Sequence, residues 1–205
     1  MKRISGINGA VCKPYLLAVG LLLPLLAWGG EPTNTLKGTI DQVLAVLADA
    51  QKDVARKRED IRQLIDRRFD YSAMSRGSLA QNWNKASAAQ QERFTKLYAR
   101  LMQDTYLVLV EEYDNQTVEY GEEKVRKEKY AQVNTNIVDA GRKIPVNYKL
   151  RLKDGDWLVY DMVIENVSMI GNYRSSYHQI IKTDGMDGLI ARLEEKLTSE
   201  TPASN

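Results

Sequence analysis

The chain contains one histidine, His178, and one cysteine, Cys12. Nucleophilic catalysis of the serine or cysteine type needs a histidine base beside the nucleophile, and a zinc site needs three or four histidine, cysteine or carboxylate ligands. No second histidine accompanies His178, and no glycine-rich phosphate loop or dinucleotide fingerprint occurs in the sequence. The sequence therefore predicts no catalytic residue, no metal site and no cofactor.

The dipeptide Asp154-Gly155 predicts a tight hairpin turn, because both residues tolerate the positive φ that a two-residue turn requires. Counting outward from this turn predicts the cross-strand pairs Lys153 with Asp156, Leu152 with Trp157, Leu150 with Val159, Tyr148 with Asp161, and Val146 with Val163. One face of the hairpin is then apolar except for Tyr148 and Asp161.

Asp161 thus falls on a face that we expect to be buried, where an unpaired carboxylate costs several kcal/mol. Arg174, thirteen residues further on in a predicted helix, is the expected partner in a structural ion pair. A second interpretation is an isomerase-like or dehydratase-like enzyme, in which Asp161 with Tyr148 and Tyr160 transfers a proton on a small apolar substrate.

Helices followed by strands must position these residues. Apolar residues recur at three- and four-residue spacing over residues 36–48, and again in a long helix that begins at the capping box Ser87 to Gln90. From residue 117 the period changes to two, which indicates strands. We expect an α+β fold in which a twisted antiparallel sheet of about four strands packs against five to seven helices.

The N-terminal residues have the pattern of an export signal. Three basic residues precede an apolar run at residues 15–28, which is short for a membrane span and ends in small residues. We expect residues 1–29 to be a signal peptide that is removed together with Cys12. Residues 30–198 then form one domain, and residues 199–205 a frayed tail.

The charge balance excludes one class of partner. The chain has 29 basic and 27 acidic residues, and removal of the three basic residues of the expected signal peptide leaves a net charge of −1. A nucleic-acid binder would carry a basic face, so we expect no nucleic-acid partner. Once the expected signal peptide is removed, the exported chain has no cysteine, which fits the bacterial periplasm.

Several stretches together resemble one protein family. They are WLVYDMVIENVSMIGNYRSSY at residues 157–177, RFDYSAMSRGSLAQNW at residues 68–83 followed by QQERF, and DGMDGLIARL at residues 184–193. Their order is similar to that of the MlaC-like periplasmic phospholipid-binding proteins, also called toluene-tolerance or auxiliary organic-solvent-tolerance proteins. The resemblance extends over residues 36–197. It departs at Asn166 and Ala80, where glycine is expected, and at Tyr177, where phenylalanine is commoner.

The resemblance implies a monomeric periplasmic carrier with no enzymatic activity. Such a carrier shuttles glycerophospholipid between an outer-membrane lipoprotein and porin complex and the substrate-binding complex of an inner-membrane ABC transporter, and so maintains outer-membrane lipid asymmetry. The bound phospholipid would place its acyl chains between the helices and the sheet. A periplasmic protein-binding adaptor is the remaining alternative.

We expect this lipid pocket to be lined by the apolar hairpin face, the turn that follows it and the long helix. The predicted lipid-binding residues are Leu97, Leu101, Leu107, Val133, Val146, Tyr148, Leu150, Val159, Val163, Val167, Met169 and Tyr173.

Overall fold

The structure is a computed structural model that describes residues 32–111 and 116–199. The expected signal peptide and residues 200–205 of the expected tail lie outside the described residues. Within the described residues, no helix is both long and apolar enough to cross a membrane. These residues form an α+β fold, as the sequence predicts, with an antiparallel sheet and a layer of helices.

Five α-helices lie within the described residues, at the lower end of the predicted range: α1 (Pro32–Ala48), α2 (Val54–Arg68), α3 (Tyr71–Leu79), α4 (Ala88–Glu111) and α5 (Met169–Ser199). A 3₁₀ helix, Ala80–Lys85, joins α3 to α4. The predicted capping box forms at the start of α4. The Gln90 backbone N–H donates to Ser87 Oγ, and the Ser87 backbone N–H donates to Gln90 Oε1. Gly185, with φ of 71°, kinks α5 at the predicted break.

Five strands follow α4 and precede α5: β1 (Thr117–Arg126), β2 (Tyr130–Asp139), β3 (Arg142–Lys153), β4 (Asp156–Ile164) and β5 (Val167–Ser168). They pair in chain order, and every pair is antiparallel. The prediction of about four strands missed β5, because a strand of two residues is too short to display an alternating pattern.

The predicted β3–β4 register is correct near the turn and wrong beyond it. Leu150 pairs with Val159 as predicted, but a bulge then shifts the register, so that Lys149 pairs with Asp161 and Tyr148 pairs with Met162. Tyr160 is the extra residue of the bulge. A bulge places two residues opposite one and is not visible in an alternating pattern, which explains the error.

The main core lies between the helices and one side of the sheet, which we call the inner face. Polar contacts fix α1 against the sheet. The Thr33 N–H donates to Glu123 Oε2 of β1 at 2.8 Å. Arg68, at the end of α2, donates to Thr39 Oγ1 at 2.8 Å and to the Trp157 carbonyl of β4 at 2.7 Å. The helical layer is therefore attached to the sheet both at β1 and at β4.

Both positions where the sequence departs from an expected glycine have a backbone that favours glycine. Asn166 has φ of 68° in the β4–β5 turn, which asparagine tolerates. Ala80 has φ of 48° and ψ of −124° immediately after α3. A residue with a Cβ is strained in that conformation.

Replacing Ala80 by glycine should therefore raise the free energy of unfolding by about 1 kcal/mol, because the strain disappears. Urea denaturation followed by circular dichroism measures the change. Ala45, on the exposed side of α1, provides the matched control. There the same replacement should lower stability by about 0.5–1 kcal/mol, because glycine weakens a helix interior. Destabilisation at both positions would contradict the strain at Ala80.

Candidate functional site

Most of the predicted pocket residues converge on one apolar interior. The side chains of Val133, Val146, Tyr148, Leu150 and Val159 are at most 5% exposed and lie on the inner face of three adjacent strands. From α4, Leu101 and Leu107 are buried in the same cluster, and Leu97 packs against it half-buried. The alternation within β2 and β3 and the helical spacing in α4 predicted this convergence.

Four predicted residues lie elsewhere or at the margin. Val163 pairs with Asn147 and Ser168, so the bulge places it on the outer face of the sheet. The prediction that Val163 lies on the apolar hairpin face is therefore wrong. Val167, in β5, is 58% exposed. Met169 and Tyr173, at the start of α5, are half-buried against the core.

The inner face continues past its fully buried end as a row of partly exposed apolar residues. Ile137 pairs with Ile144 across β2 and β3, and Ile164 of β4 pairs with Val146. All three isoleucines pack against the core without being closed off by it. The pocket residues predicted from the sequence did not include them. Ile137 nevertheless alternates in step with Val133 along β2, and Ile144 in step with Val146 along β3. The alternating pattern therefore indicated the inner face for Ile137 and Ile144, whereas the face of Ile164 depends on the bulge.

Asp161 is 4% exposed and is held by three hydrogen-bond donors. Lys149 Nζ donates to Oδ2 at 2.9 Å, Ser168 Oγ donates to the same oxygen at 2.8 Å, and the Ile170 N–H donates to Oδ1 at 3.2 Å. The Gly171 N–H in turn donates to Ser168 Oγ at 3.0 Å, which caps the first turn of α5. A carboxylate at a helix N-terminus is also favoured by the helix dipole.

The predicted pair between Asp161 and Arg174 is wrong. Arg174 is exposed, and its Nε donates to the carbonyl of Gly77 in α3 at 2.9 Å. The physical reason is the bulge, which turns Asp161 towards Lys149 and the β5–α5 junction. Arg174 therefore joins α5 to α3, and Lys149 is the cation that balances Asp161.

Four aromatic rings pack together where α4 meets α5. Phe94 and Tyr98 of α4 lie against Tyr173 and Tyr177 of α5, with ring centroids 5.3–6.3 Å apart. Burial raises the pKa of both Tyr98 and Tyr177 well above the usual tyrosine range. These hydroxyls therefore stay neutral at physiological pH. Spacing of four residues within each helix could have revealed the cluster from the sequence.

The residues of the enzyme alternative do not share one cavity. Tyr148 is buried on the inner face, whereas Tyr160 packs on Tyr130 and lines a groove with Arg151 on the outer face. Asp161 is occupied by its three donors. His178 is exposed, with Nδ1 3.4 Å from Asn82 Nδ2. Across residues 32–111 and 116–199, no group of three or more histidine, cysteine or acidic residues could hold a metal ion.

One open cleft beside α1 has a volume of about 550 Å³. It is lined mainly by polar residues, among them Asn34, Thr35, Gln42, Arg68 and Asp156. A polar lining does not suit an apolar ligand, because its groups would lose water without gaining hydrogen bonds. The apolar inner face is the stronger candidate site.

Comparison with known proteins gives consistent results. The sequence model of the family described as MlaC protein matches residues 37–195. The chain is 28% identical over 122 residues to the intermembrane phospholipid transport system binding protein MlaC of Haemophilus influenzae, and spans 57% of that relative's length and 57% of its own. It is 22% identical over 186 residues to the toluene tolerance protein ttg2D of Pseudomonas putida, which covers 87% of this chain and 86% of that one.

A solved structure has the same fold. It is a phospholipid-binding protein from Ralstonia solanacearum, determined in complex with a phospholipid. The TM-score is 0.74 at 22% identity, and the match covers 82% of this chain and 98% of the other. At this identity the likeness establishes the architecture.

The hydrogen bonds of Asp161 predict which residues are energetically coupled. Asp161→Asn should lower the free energy of unfolding by about 3 kcal/mol, because it removes the charge that balances Lys149 and weakens three hydrogen bonds. A double-mutant cycle with Lys149→Met should give a coupling energy of about 1 kcal/mol, measured by urea denaturation. Arg174→Ala is the control and should add to Asp161→Asn within about 0.5 kcal/mol. Stronger coupling to Arg174 than to Lys149 would refute this arrangement.

Proposed function

Because the chain belongs to the MlaC family, whose sequence model matches residues 37–195, we propose that it is a phospholipid carrier. In this proposal the acyl chains of a glycerophospholipid lie between the inner face of the sheet and α4. The residues that would line this space include Leu97, Leu101, Val146 and Tyr148, and also Ile137, Ile144 and Ile164. The polar headgroup would stay towards solvent.

The observation that carries the proposal is the gradient of burial along the inner face. At one end Leu150 and Val159 are fully buried. At the other end Ile137, Ile144 and Ile164 are partly exposed although they are large and apolar. Partly exposed apolar surface of this kind favours an apolar ligand, because each methylene removed from water contributes about 0.8 kcal/mol.

The names of the relatives support the same function. The protein from Haemophilus influenzae is called a binding protein of an intermembrane phospholipid transport system, and the structural neighbour was determined with a bound phospholipid. An apolar surface also suits a carrier, because it binds the chains without requiring one particular headgroup. Neither a catalytic residue nor a cofactor is part of this proposal.

The finer part of the proposal concerns where the lipid comes from and where it goes. A periplasmic carrier would exchange phospholipid as a monomer between an outer-membrane lipoprotein and porin complex and the substrate-binding complex of an inner-membrane ABC transporter. Such exchange would maintain outer-membrane lipid asymmetry. It requires export of the chain, which the expected signal peptide at residues 1–29 would provide.

Two adjacent residues of β4 allow a matched test of lipid binding. Ile164 lies on the inner face and Val163 on the outer face, and both are half-buried. Ile164→Glu should reduce the phospholipid that co-purifies with the protein by about tenfold, because desolvating a carboxylate against acyl chains costs several kcal/mol. Val163→Glu should retain the lipid. Native mass spectrometry and lipid extraction measure occupancy, and circular dichroism verifies the fold of both variants.

Equal retention of phospholipid in both variants would place the lipid outside the inner face. Purified wild-type protein without any phospholipid, and unable to take it up from vesicles, would refute the carrier function itself.

Export gives a separate prediction. When the full chain is produced in a Gram-negative host, the protein recovered from the periplasm should begin within a few residues of Gly30, because small residues precede that position. N-terminal sequencing and intact mass measure the start of the chain. An intact N-terminus with membrane association would contradict the assignment of residues 1–29.

A further inference from the structure

The outer face of the sheet bears a groove that the proposed lipid site does not use. The groove lies between α3 and the outer face of β2, β3 and β4, and its volume is about 300 Å³. Arg76 and Gly77 of α3 form one wall, and Tyr130, Arg151 and Tyr160 form the other. Tyr160 lies on this face because it follows the inward-facing Val159, and the bulge then places Asp161 opposite Lys149 on the same side.

Arg76 and Arg151 line the groove. Lys149 and Arg126 act on Tyr160 through their charge, and Arg174 bonds to Gly77. Two of these five cations are neutralised by buried carboxylates. Arg151 pairs with Asp70, and Lys149 pairs with Asp161, and both carboxylates are buried. These two pairs hold the outer-face cations in place but leave no net charge.

The other three cations, Arg76, Arg126 and Arg174, are exposed and form no ion pair within the described parts of the chain. Arg76 lies over the ring of Trp83, with its guanidinium carbon 5.5 Å from the ring centroid. Arg174 donates through Nε to the Gly77 carbonyl at 2.9 Å. The whole chain has a formal net charge of only +2, so three unbalanced arginines around one groove are a local feature.

The groove also has an aromatic wall. Tyr130 is 48% exposed, which is high for a large aromatic side chain, and it packs edge-to-face on Tyr160 with ring centroids 6.1 Å apart. Burial raises the pKa of Tyr160, although the charges of Lys149 and Arg126 act in the opposite direction. The Tyr160 hydroxyl therefore stays protonated and can donate a hydrogen bond, and the charges of two cations act on it. Tyrosine and arginine are both enriched at protein–protein interfaces.

We propose that this groove docks an acidic segment of a partner protein. A backbone stretch or side chain of the partner would fill the groove between Gly77 and the two tyrosines, while its carboxylates would contact Arg76, Arg126 and Arg174. The proposal rests on the carrier function, because a carrier must dock on the proteins with which it exchanges lipid. Its surface is nevertheless on the opposite side of the sheet from the lipid site.

The shape of the surface favours a peptide over a membrane. A bilayer is a broad surface that contacts protruding residues, whereas Gly77, Arg151 and Tyr160 line a recess beside α3. A segment of a protein can enter such a recess and place one or two side chains in it. We therefore treat binding to an anionic membrane as the competing outcome of the test.

The test uses a fluorescein-labelled hexaglutamate peptide, the purified protein and a combined Arg76→Ala, Arg126→Ala and Arg174→Ala variant. Fluorescence anisotropy at low ionic strength should show about a tenfold weaker affinity for this variant, because three charge contacts are lost. A control variant removes the same charge elsewhere through Arg67→Ala, Arg142→Ala and Lys182→Ala, and should keep its affinity within about twofold. Arg126→Glu alone, on an exposed strand end, should also weaken binding and guards against a folding defect in the triple variant.

Amide chemical-shift changes on adding the peptide should concentrate in α3 and around Tyr130 and Tyr160. Equal weakening by the control variant, or shifts confined to another surface, would overturn the proposal. The same holds if the triple variant binds the peptide normally but no longer sediments with phosphatidylglycerol vesicles, because the surface would then be a membrane site.

Lipid content separates the two proposals. The triple variant should still carry co-purified phospholipid, since its arginines lie outside the inner face. Unchanged peptide affinity in a lipid-loaded triple variant refutes the docking groove alone. The opposite result is that the triple variant loses peptide affinity while the wild-type protein never contains phospholipid. That result supports the groove and refutes the carrier function.

Discussion

The rest of the structure depends on the hydrogen bonds that the buried carboxylate of Asp161 accepts. Its two oxygens accept hydrogen bonds from Lys149 in β3, Ser168 in β5 and the first turn of α5. A buried charge is stable only when its partners are fixed in place, so this carboxylate ties the end of the sheet to the start of the last helix. That junction determines where α5 lies, and α5 in turn positions the aromatic contact with α4.

This arrangement divides the interior into a closely packed part and a more open part. Around Asp161 the aromatic rings of α4 and α5 and the buried residues of β3 and β4 pack closely. Further along the inner face, Ile137, Ile144 and Ile164 are less covered. A carrier needs both properties, because the closed part gives the domain its stability and the open part leaves apolar surface to a ligand.

The bulge in β4 determines which residues beyond it lie on each side of the sheet. With Tyr160 as its extra residue, it places Asp161 opposite Lys149 and beside the helix junction, next to the outer groove that Tyr160 lines. The Asp161–Lys149 pair lies on the outer side, with a buried carboxylate and a partly exposed ammonium group. The proposed lipid site and the proposed docking groove are thus built on opposite faces of one hairpin, so that each can be altered without direct contact with the other.

The sequence alone determined the fold class, the hairpin turn at Asp154-Gly155, the capping box at Ser87 and the apolar inner face of β2 and β3, because each depends on neighbours along the chain or on a simple alternating period. It also placed Asp161 in a buried position. Only the tertiary structure decided that Lys149 and not Arg174 balances Asp161, that Val163 faces outward, and that Ile164 lies on the inner face. These outcomes follow from one bulge, whose position depends on how the strands pack against the helices and so leaves no local signal in the sequence.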